Sequence, residues 1–266
     1  VDTEKGIYMS RTKELGKWEK PKLIIPGKNL AYPCPIWEND KCYLSYGYKD
    51  NTEGVKNLIF LCELSIEGDK YLGNNRSIYD ANSSQENIDG VKIIKERDFY
   101  FLTSSSESLK RSSSLICLRA TNIYGPYEKN YILNQGRTST DGPYKGGMVE
   151  TEAGEFWFLF SQPLKSYGKI VHLNPIHWDE DWPFVGNYIN RNKCGTPLTN
   201  HKKPKGTEKT NINNPIESDD FSGEKIGLQW QWNKKPLAHW YYLDQTNKLL
   251  RLYAYSHPEK TINLAD

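Results

Sequence analysis

Long apolar runs are missing from this sequence of 266 residues: the longest, 58–62 and 156–160, are five residues each, where a membrane-spanning helix needs about 20. No membrane partner is expected. An excess of either charge is missing too. Lys and Arg number 35 against 33 Asp and Glu, a net charge of +2, which lacks the basic excess of a nucleic-acid-binding domain. Cysteine is sparse: Cys34, Cys42, Cys62, Cys117 and Cys194 form no Cys-x-x-Cys pair and no spaced Cys/His set. They read as buried or free thiols, not as metal ligands or a redox pair. The chain begins at Val1 with no charged-then-apolar leader, so any secretion signal is expected upstream. Apolar residues at helical spacing persist nowhere for a dozen residues, which leaves no amphipathic helix to expect.

Aromatic residues, by contrast, are abundant: 8 Trp, 18 Tyr and 8 Phe make up 13% of the chain, at a mean hydropathy of −0.75. The expected core is a wet one, rich in Tyr and Trp. A repeat organises it. The segment Trp37-Glu38-Asn39-Asp40-Lys41-Cys42-Tyr43-Leu44-Ser45-Tyr46, a polar turn followed by an aromatic strand, recurs as Lys95-Glu96-Arg97-Asp98-Phe99-Tyr100-Phe101-Leu102-Thr103. It returns again as Thr151-Glu152-Ala153-Gly154-Glu155-Phe156-Trp157-Phe158-Leu159-Phe160. Tyr43, Tyr100 and Trp157 follow one another at intervals of 57 residues. A further strand follows each: Asn57-Leu58-Ile59-Phe60-Leu61, Ser114-Leu115-Ile116-Cys117-Leu118-Arg119 and Lys169-Ile170-Val171-His172-Leu173. Gly6-Ile7-Tyr8-Met9-Ser10-Arg11 resembles that strand from a repeat whose beginning is absent.

An all-β chain with a period near 50 and about four short strands per unit predicts β-propeller blades. A β-sandwich with fortuitous spacing is the alternative. The pattern stops after Gly186, and residues 187–215 carry Arg191, Lys193, Lys202, Lys203, Lys205 and Lys209 against Glu208, which predicts an exposed basic linker. Strand-like sequence resumes at Asp219 and runs to Tyr255. The expected organisation is a partial propeller over 1–186, a linker over 187–215 and the first part of a β-sandwich over 216–266, with Trp230 and Trp232 in the sandwich core.

The residues now carry a resemblance. Tyr32-Pro33-Cys34-Pro35-Ile36-Trp37-Glu38-Asn39-Asp40-Lys41-Cys42-Tyr43-Leu44, Ile88-Asp89-Gly90-Val91-Lys92, Asn122-Ile123-Tyr124-Gly125-Pro126-Tyr127-Glu128 and Gly142-Pro143-Tyr144-Lys145-Gly146-Gly147 resemble, in order, segments of glycoside hydrolase family 43. Trp178-Asp179-Glu180-Asp181-Trp182-Pro183 resembles the close of that family's last blade, and 219–255 the start of its appended concanavalin-like β-sandwich. The resemblance implies a five-bladed propeller whose first blade and most of whose second are missing here, hence a fragment. It implies an inverting hydrolase acting on arabinose- or xylose-containing plant polysaccharides or oligosaccharides, of α-L-arabinofuranosidase or β-xylosidase type. It also implies a parent protein secreted or periplasmic in a bacterium. No cofactor is implied. The family leaves room for calcium, but no ligand cluster for it is visible.

Inversion uses one carboxylate to activate water and one carboxylic acid to protonate the leaving oxygen, about 6.5–9.5 Å apart. By the resemblance the general base lies outside this chain, and the general acid, a Glu in the family, falls on Asp89. Its shorter stem draws the carboxyl back by about 1.5 Å, one carbon–carbon bond. The Asp that raises the acid's pKa in the family falls on Tyr32, whose phenol ordinarily titrates near pH 10. A family His falls on Tyr144 and a family Arg on Lys169; with Trp37 these are the substrate-pocket candidates. Asp89 before Gly90 also reads as an ordinary turn residue, and Tyr32 and Tyr144 as pocket-wall aromatics. Three functions therefore stay open: a hydrolase with Asp89 as acid, a weak or inactive propeller that binds such sugars without cleaving them, and an interaction scaffold. The sequence does not set the oligomeric state.

Overall fold

The structure, a computed structural model, describes residues 1–14, 17–48, 57–82, 87–108, 111–164, 168–207, 218–227, 229–230, 237 and 239–254. Among them there is no α-helix, and a short 3-10 turn at Asn190–Asn192 interrupts a chain otherwise built of strands. The chain divides into two compact units, Val1–Gly206 and Thr207–Asp266.

In the first unit, β1 (Gly6–Met9) and β2 (Lys22–Pro26) form an antiparallel pair. Three antiparallel meanders of four strands follow. The first is β3 (Leu30–Glu38), β4 (Lys41–Tyr48), β5 (Leu58–Leu64) and β6 (Tyr71–Asp80). The second is β7 (Asn87–Glu96), β8 (Phe99–Ser108), β9 (Arg111–Ala120) and β10 (Glu128–Leu133). The third is β11 (Tyr144–Glu150), β12 (Phe156–Pro163), β13 (Lys169–Asp179) and β14 (Trp182–Val185). Local chemistry sets the tight hairpins. Asn39 and Asp40 join β3 to β4 with φ of 47° and 58°, and Glu180 and Asp181 join β13 to β14 with 47° and 59°. Two left-handed residues in a row make the turn whose twist matches paired strands, and the short side chains of Asn and Asp tolerate it.

Side-chain alternation then decides the stacking. Along β8, Tyr100 and Leu102 point one way into a core with Tyr43, Ile59, Leu61 and Ile116, while Phe101 points the other way against Phe158, Phe160 and Phe184. A third core joins Ile7 and Ile25 of the β1–β2 pair to Leu44 and Leu64 of the first meander. Each fully buried Leu, Ile or Phe here contributes roughly 1.5–3 kcal/mol. Successive sheets stacked in chain order, the middle one buried on both faces between its neighbours, are propeller blades and not the two sheets of a sandwich. The repeat aromatics Tyr43, Tyr100 and Trp157 are 9%, 7% and 5% exposed, each in the second strand of its blade.

The stretch expected to be a linker begins differently. Within residues 187–215, β15 (Asn187–Tyr188) and β16 (Gly195–Thr196) pair with each other, and β16 adds to β10 as a parallel neighbour. Gly195 allows this, because a Cβ there would lie 1.8 Å from the Val185 carbonyl oxygen. The basic composition reflects exposure of Arg191 and Lys193, not absence of structure, and the first unit continues to Gly206.

In the second unit, β17 (Tyr241–Asp244) and β18 (Leu249–Leu252) form a hairpin. Asp244 accepts hydrogen bonds from Asn247 and Arg251 at its turn. Trp230, expected in a sandwich core, is instead 43% exposed; it stacks at a tilt on Phe221 and donates to Asp219 Oδ2 at 3.0 Å. Trp232 lies outside the described residues.

Candidate active site

The first strands of the three blades, β3, β7 and β11, pack side by side, and each is broken by a bulge at a comparable place. Register shifts fall between Ala31 and Cys34 in β3, between Asp89 and Lys92 in β7, and between Tyr144 and Gly146 in β11. The bulged residues adopt left-handed backbone: φ is 55° at Tyr32, 75° at Gly90 and 48° at Lys145. An extra residue in one strand re-aims the side chains around it. Left-handed non-glycine residues are held only where surrounding structure compels them, and such strain clusters at functional sites.

The bulges bring Asp89, Tyr32 and Tyr144 together. Asp89 is 8% exposed, and two buried serines of β8 clamp its backbone. Asp89 N–H donates to Ser104 Oγ at 3.1 Å, while the hydroxyls of Ser104 and Ser105 donate to the Asp89 carbonyl at 2.9 and 3.0 Å. Ser105 Oγ also accepts the Lys145 N–H at 2.8 Å, tying the β7 and β11 bulges to one side chain. The Tyr144 hydroxyl donates to Asp89 Oδ2, and the Tyr32 phenol is also hydrogen-bonded to Asp89. The Lys145 ammonium lies 3.5 Å from the same Oδ2. It sits 4.9 Å from the centre of the Tyr32 ring and 4.8 Å from that of Tyr144, with Lys169 Nζ 5.1 Å from the latter. A cation over a ring face is drawn to its quadrupole.

Burial pushes the phenols of Tyr32 and Tyr144 far above their ordinary value, and the hydrogen bond to Asp89 and its negative charge add to that. Both remain protonated donors at neutral pH. Two phenols and an ammonium are the partners of a carboxylate, and each stabilises the charged over the neutral form. Glu107, exposed on β8, adds its charge near Tyr144.

Of the residues expected from the sequence, Asp89, Tyr32, Tyr144 and Lys169 thus converge. Trp37 does not. It sits at the turn end of β3, five residues beyond Tyr32 and so on the order of 15 Å along an extended strand. There it is 55% exposed, its Nε1 donates to the Ile66 carbonyl at 2.7 Å, and it lines a separate cavity of about 380 Å³ with Ile7, Met9, Arg11, Pro35 and Glu67. Lys145, Ser104 and Ser105 escaped the sequence reading. The serines had a signal: Thr103-Ser104-Ser105-Ser106 is a polar run continuing an aromatic strand, and all four are at most 4% exposed. Among the described residues, no group of three or more His, Cys, Asp or Glu side chains is placed to hold a metal ion.

Known proteins are similar to this chain over most of its length. The sequence profile of Glycosyl hydrolases family 43 matches residues 2–183, and that of the Beta xylosidase C-terminal Concanavalin A-like domain matches residues 218–264. A protein of Xylanibacter ruminicola named "Putative beta-xylosidase" is 30% identical over 244 residues, covering 91% of this chain and 45% of the relative. "Beta-xylosidase" of Formosa agariphila is 26% identical, covering 90% and 44%. The crystal structure of xylan beta-1,4-xylosidase from Bacillus halodurans C-125 matches with a TM-score of 0.76 at 22% identity, covering 94% of this chain and 50% of that one. The chain therefore spans about half the length of the relatives it matches.

Proposed function

The chain belongs to glycosyl hydrolases family 43, and from that premise we propose that its Asp89 site serves the hydrolysis of O-glycosidic bonds in xylose- or arabinose-containing plant oligosaccharides or polysaccharides. The observation that carries this is one buried carboxylate at the bulged junction of three blades, ringed by two phenols and two ammonium groups. The names of the two relatives favour xylose. In this reading Asp89 protonates the leaving oxygen, and a carboxylate contributed from beyond this chain activates water. Tyr32 and Tyr144 hold the Asp89 carboxyl at the floor of the site and offer ring faces to the sugar.

A second reading has a specific observation in its favour. Asp89 is already served by three donors, and Tyr32 stands where the resemblance calls for a second carboxylate, so the site is poorer in acid–base groups than in sugar-holding ones. The expectation is weak hydrolysis. Turnover of paired aryl β-D-xyloside and α-L-arabinofuranoside substrates by the full-length parent should fall well below about 10 per second, an ordinary enzymatic rate. Asp89→Asn should abolish it, and an unchanged rate in that variant removes Asp89 from the mechanism. Saturable sugar binding by a folded protein without any turnover would establish the second reading. We also place the parent outside the cytoplasm, because polymeric substrates are; its absence from medium and periplasmic fractions would refute that.

A further inference from the structure

Lys145 is held in the site at a structural cost. Its φ of 48° puts a lysine in left-handed backbone, which costs on the order of 1 kcal/mol. Its stem crosses Gly90, where an added Cβ would lie 2.6 Å from Lys145 Cγ, so the path exists only because residue 90 has no side chain. The three donors on Asp89 differ in kind. Tyr32 and Tyr144 hang from rings fixed at the sheet, whereas Lys145 reaches Oδ2 through four methylenes at a loose 3.5 Å, with its side chain 35% exposed. It is the exchangeable partner. Lys169 adds a second ammonium on the same tyrosine ring, and Glu107 is the opposing charge near Tyr144.

We propose that Lys145, supported by Lys169, binds the carboxylate of an acidic sugar, so that the preferred ligand of this site is a xylose-type oligosaccharide carrying a uronic-acid residue. This rests on the glycoside reading above and names its substrate class. The exchange has a chemical consequence. When the ammonium turns from Asp89 to the ligand's carboxylate, Asp89 stays buried without its cation, and burial without a counter-charge favours the protonated acid. The anionic ligand then prepares the proton that the leaving oxygen requires, and no covalent step beyond hydrolysis is added.

The test is titration calorimetry on the full-length protein with two probes, linear xylotetraose and xylotriose bearing one glucuronic-acid branch. Wild type, Lys145→Met and Lys145→Arg are compared at about 20 mM and about 500 mM salt, which screens exposed charge pairs. Wild type should bind the acidic probe about tenfold tighter, a difference of about 1.4 kcal/mol. High salt should shrink the preference. Lys145→Met should bring the ratio of affinities to about one, and Lys145→Arg, which keeps the charge, should retain it. Equal affinities in wild type, or a ratio that survives in Lys145→Met, overturn the proposal while leaving the glycoside reading intact. Failure of both probes to bind a folded protein overturns both.

Discussion

Raising the pH should unfold this protein sharply, and the buried tyrosines set the scale. Tyr46 and Tyr100 are 3% and 7% exposed. Burial pushes both phenols far above their ordinary value; at Tyr100 the hydrogen bond to Glu38 and its charge push further, and at Tyr46 a hydrogen bond to Asn75 opposes only weakly. In the unfolded chain both titrate near pH 10. Their contribution is fully present below that pH and is lost as pH rises toward the folded-state values, because the native state keeps protons that the unfolded state releases. Each retained proton lowers stability by about 1.4 kcal/mol per pH unit, so the pair removes about 3 kcal/mol per unit above pH 10. Two such units approach the whole stability of an ordinary domain, about 5–15 kcal/mol. The buried thiols of Cys62, pushed up to about 12 by burial and by neighbouring Cys42, and of Cys117 act in the same sense from about one unit lower. Urea unfolding followed by far-ultraviolet circular dichroism, under reducing conditions, should show a midpoint nearly flat to pH 8. Above pH 10 it should drop by at least 1–2 M per unit, for an m-value of roughly 2 kcal/mol/M. Tyr46→Phe removes one proton from the difference and should cut the slope by about 1.4 kcal/mol per unit. The reasoning is refuted if all phenolate absorbance develops smoothly around pH 10 while the far-ultraviolet signal stays native.

On the acid side, burial pushes Glu38 up but hydrogen bonds from Lys95 and Tyr100 outweigh it and hold the carboxyl below its usual range. Its contribution is present above about pH 4.5 and lost as pH falls, so the urea midpoints of wild type and Glu38→Gln should converge between pH 5 and 3; parallel curves contradict this. Phe101 is fully buried beside Phe99 and Trp178, and Phe101→Ala should cost about 3–5 kcal/mol. At about 2–4 °C per kcal/mol that lowers Tm by roughly 10 °C, and a loss under about 3 °C would mean the second and third blades do not share this core. Gly90→Ala should cost about 1–2 kcal/mol for its left-handed backbone and displace Lys145. By the proposal above it should also erase the preference for the acidic probe, and a retained preference argues that Lys145 reaches the ligand by another path.

Much of the scaffold was readable because it is written locally. A polar turn of Asn39-Asp40 or Glu180-Asp181 needs only its own backbone preferences, and the short aromatic and aliphatic runs of β4, β8 and β12, bounded by turn residues, read as buried strands without further context. Tyr32 and Asp89 came from the resemblance alone, and they stand 57 residues apart, the same interval that spaces Tyr43 from Tyr100. Trp37 misled because a residue in the right motif sat at the wrong end of its strand. The β15–β16 pair was hidden because its partner, β10, is more than fifty residues earlier in the chain.

What the sequence determined by itself was the all-β character, the blade repeat and its turns, while the family resemblance singled out Asp89 as the carboxylate to look for. What only tertiary structure decided was how that carboxylate is held. A bulge shifts register by one residue, and with a side-chain period of two that single step decides which of Tyr144 and Lys145 reaches Asp89. Here the bulges, the serine clamp and the bare Cα of Gly90 let both reach it, an outcome that depends on three strands meeting in space and so leaves no pattern in any one of them.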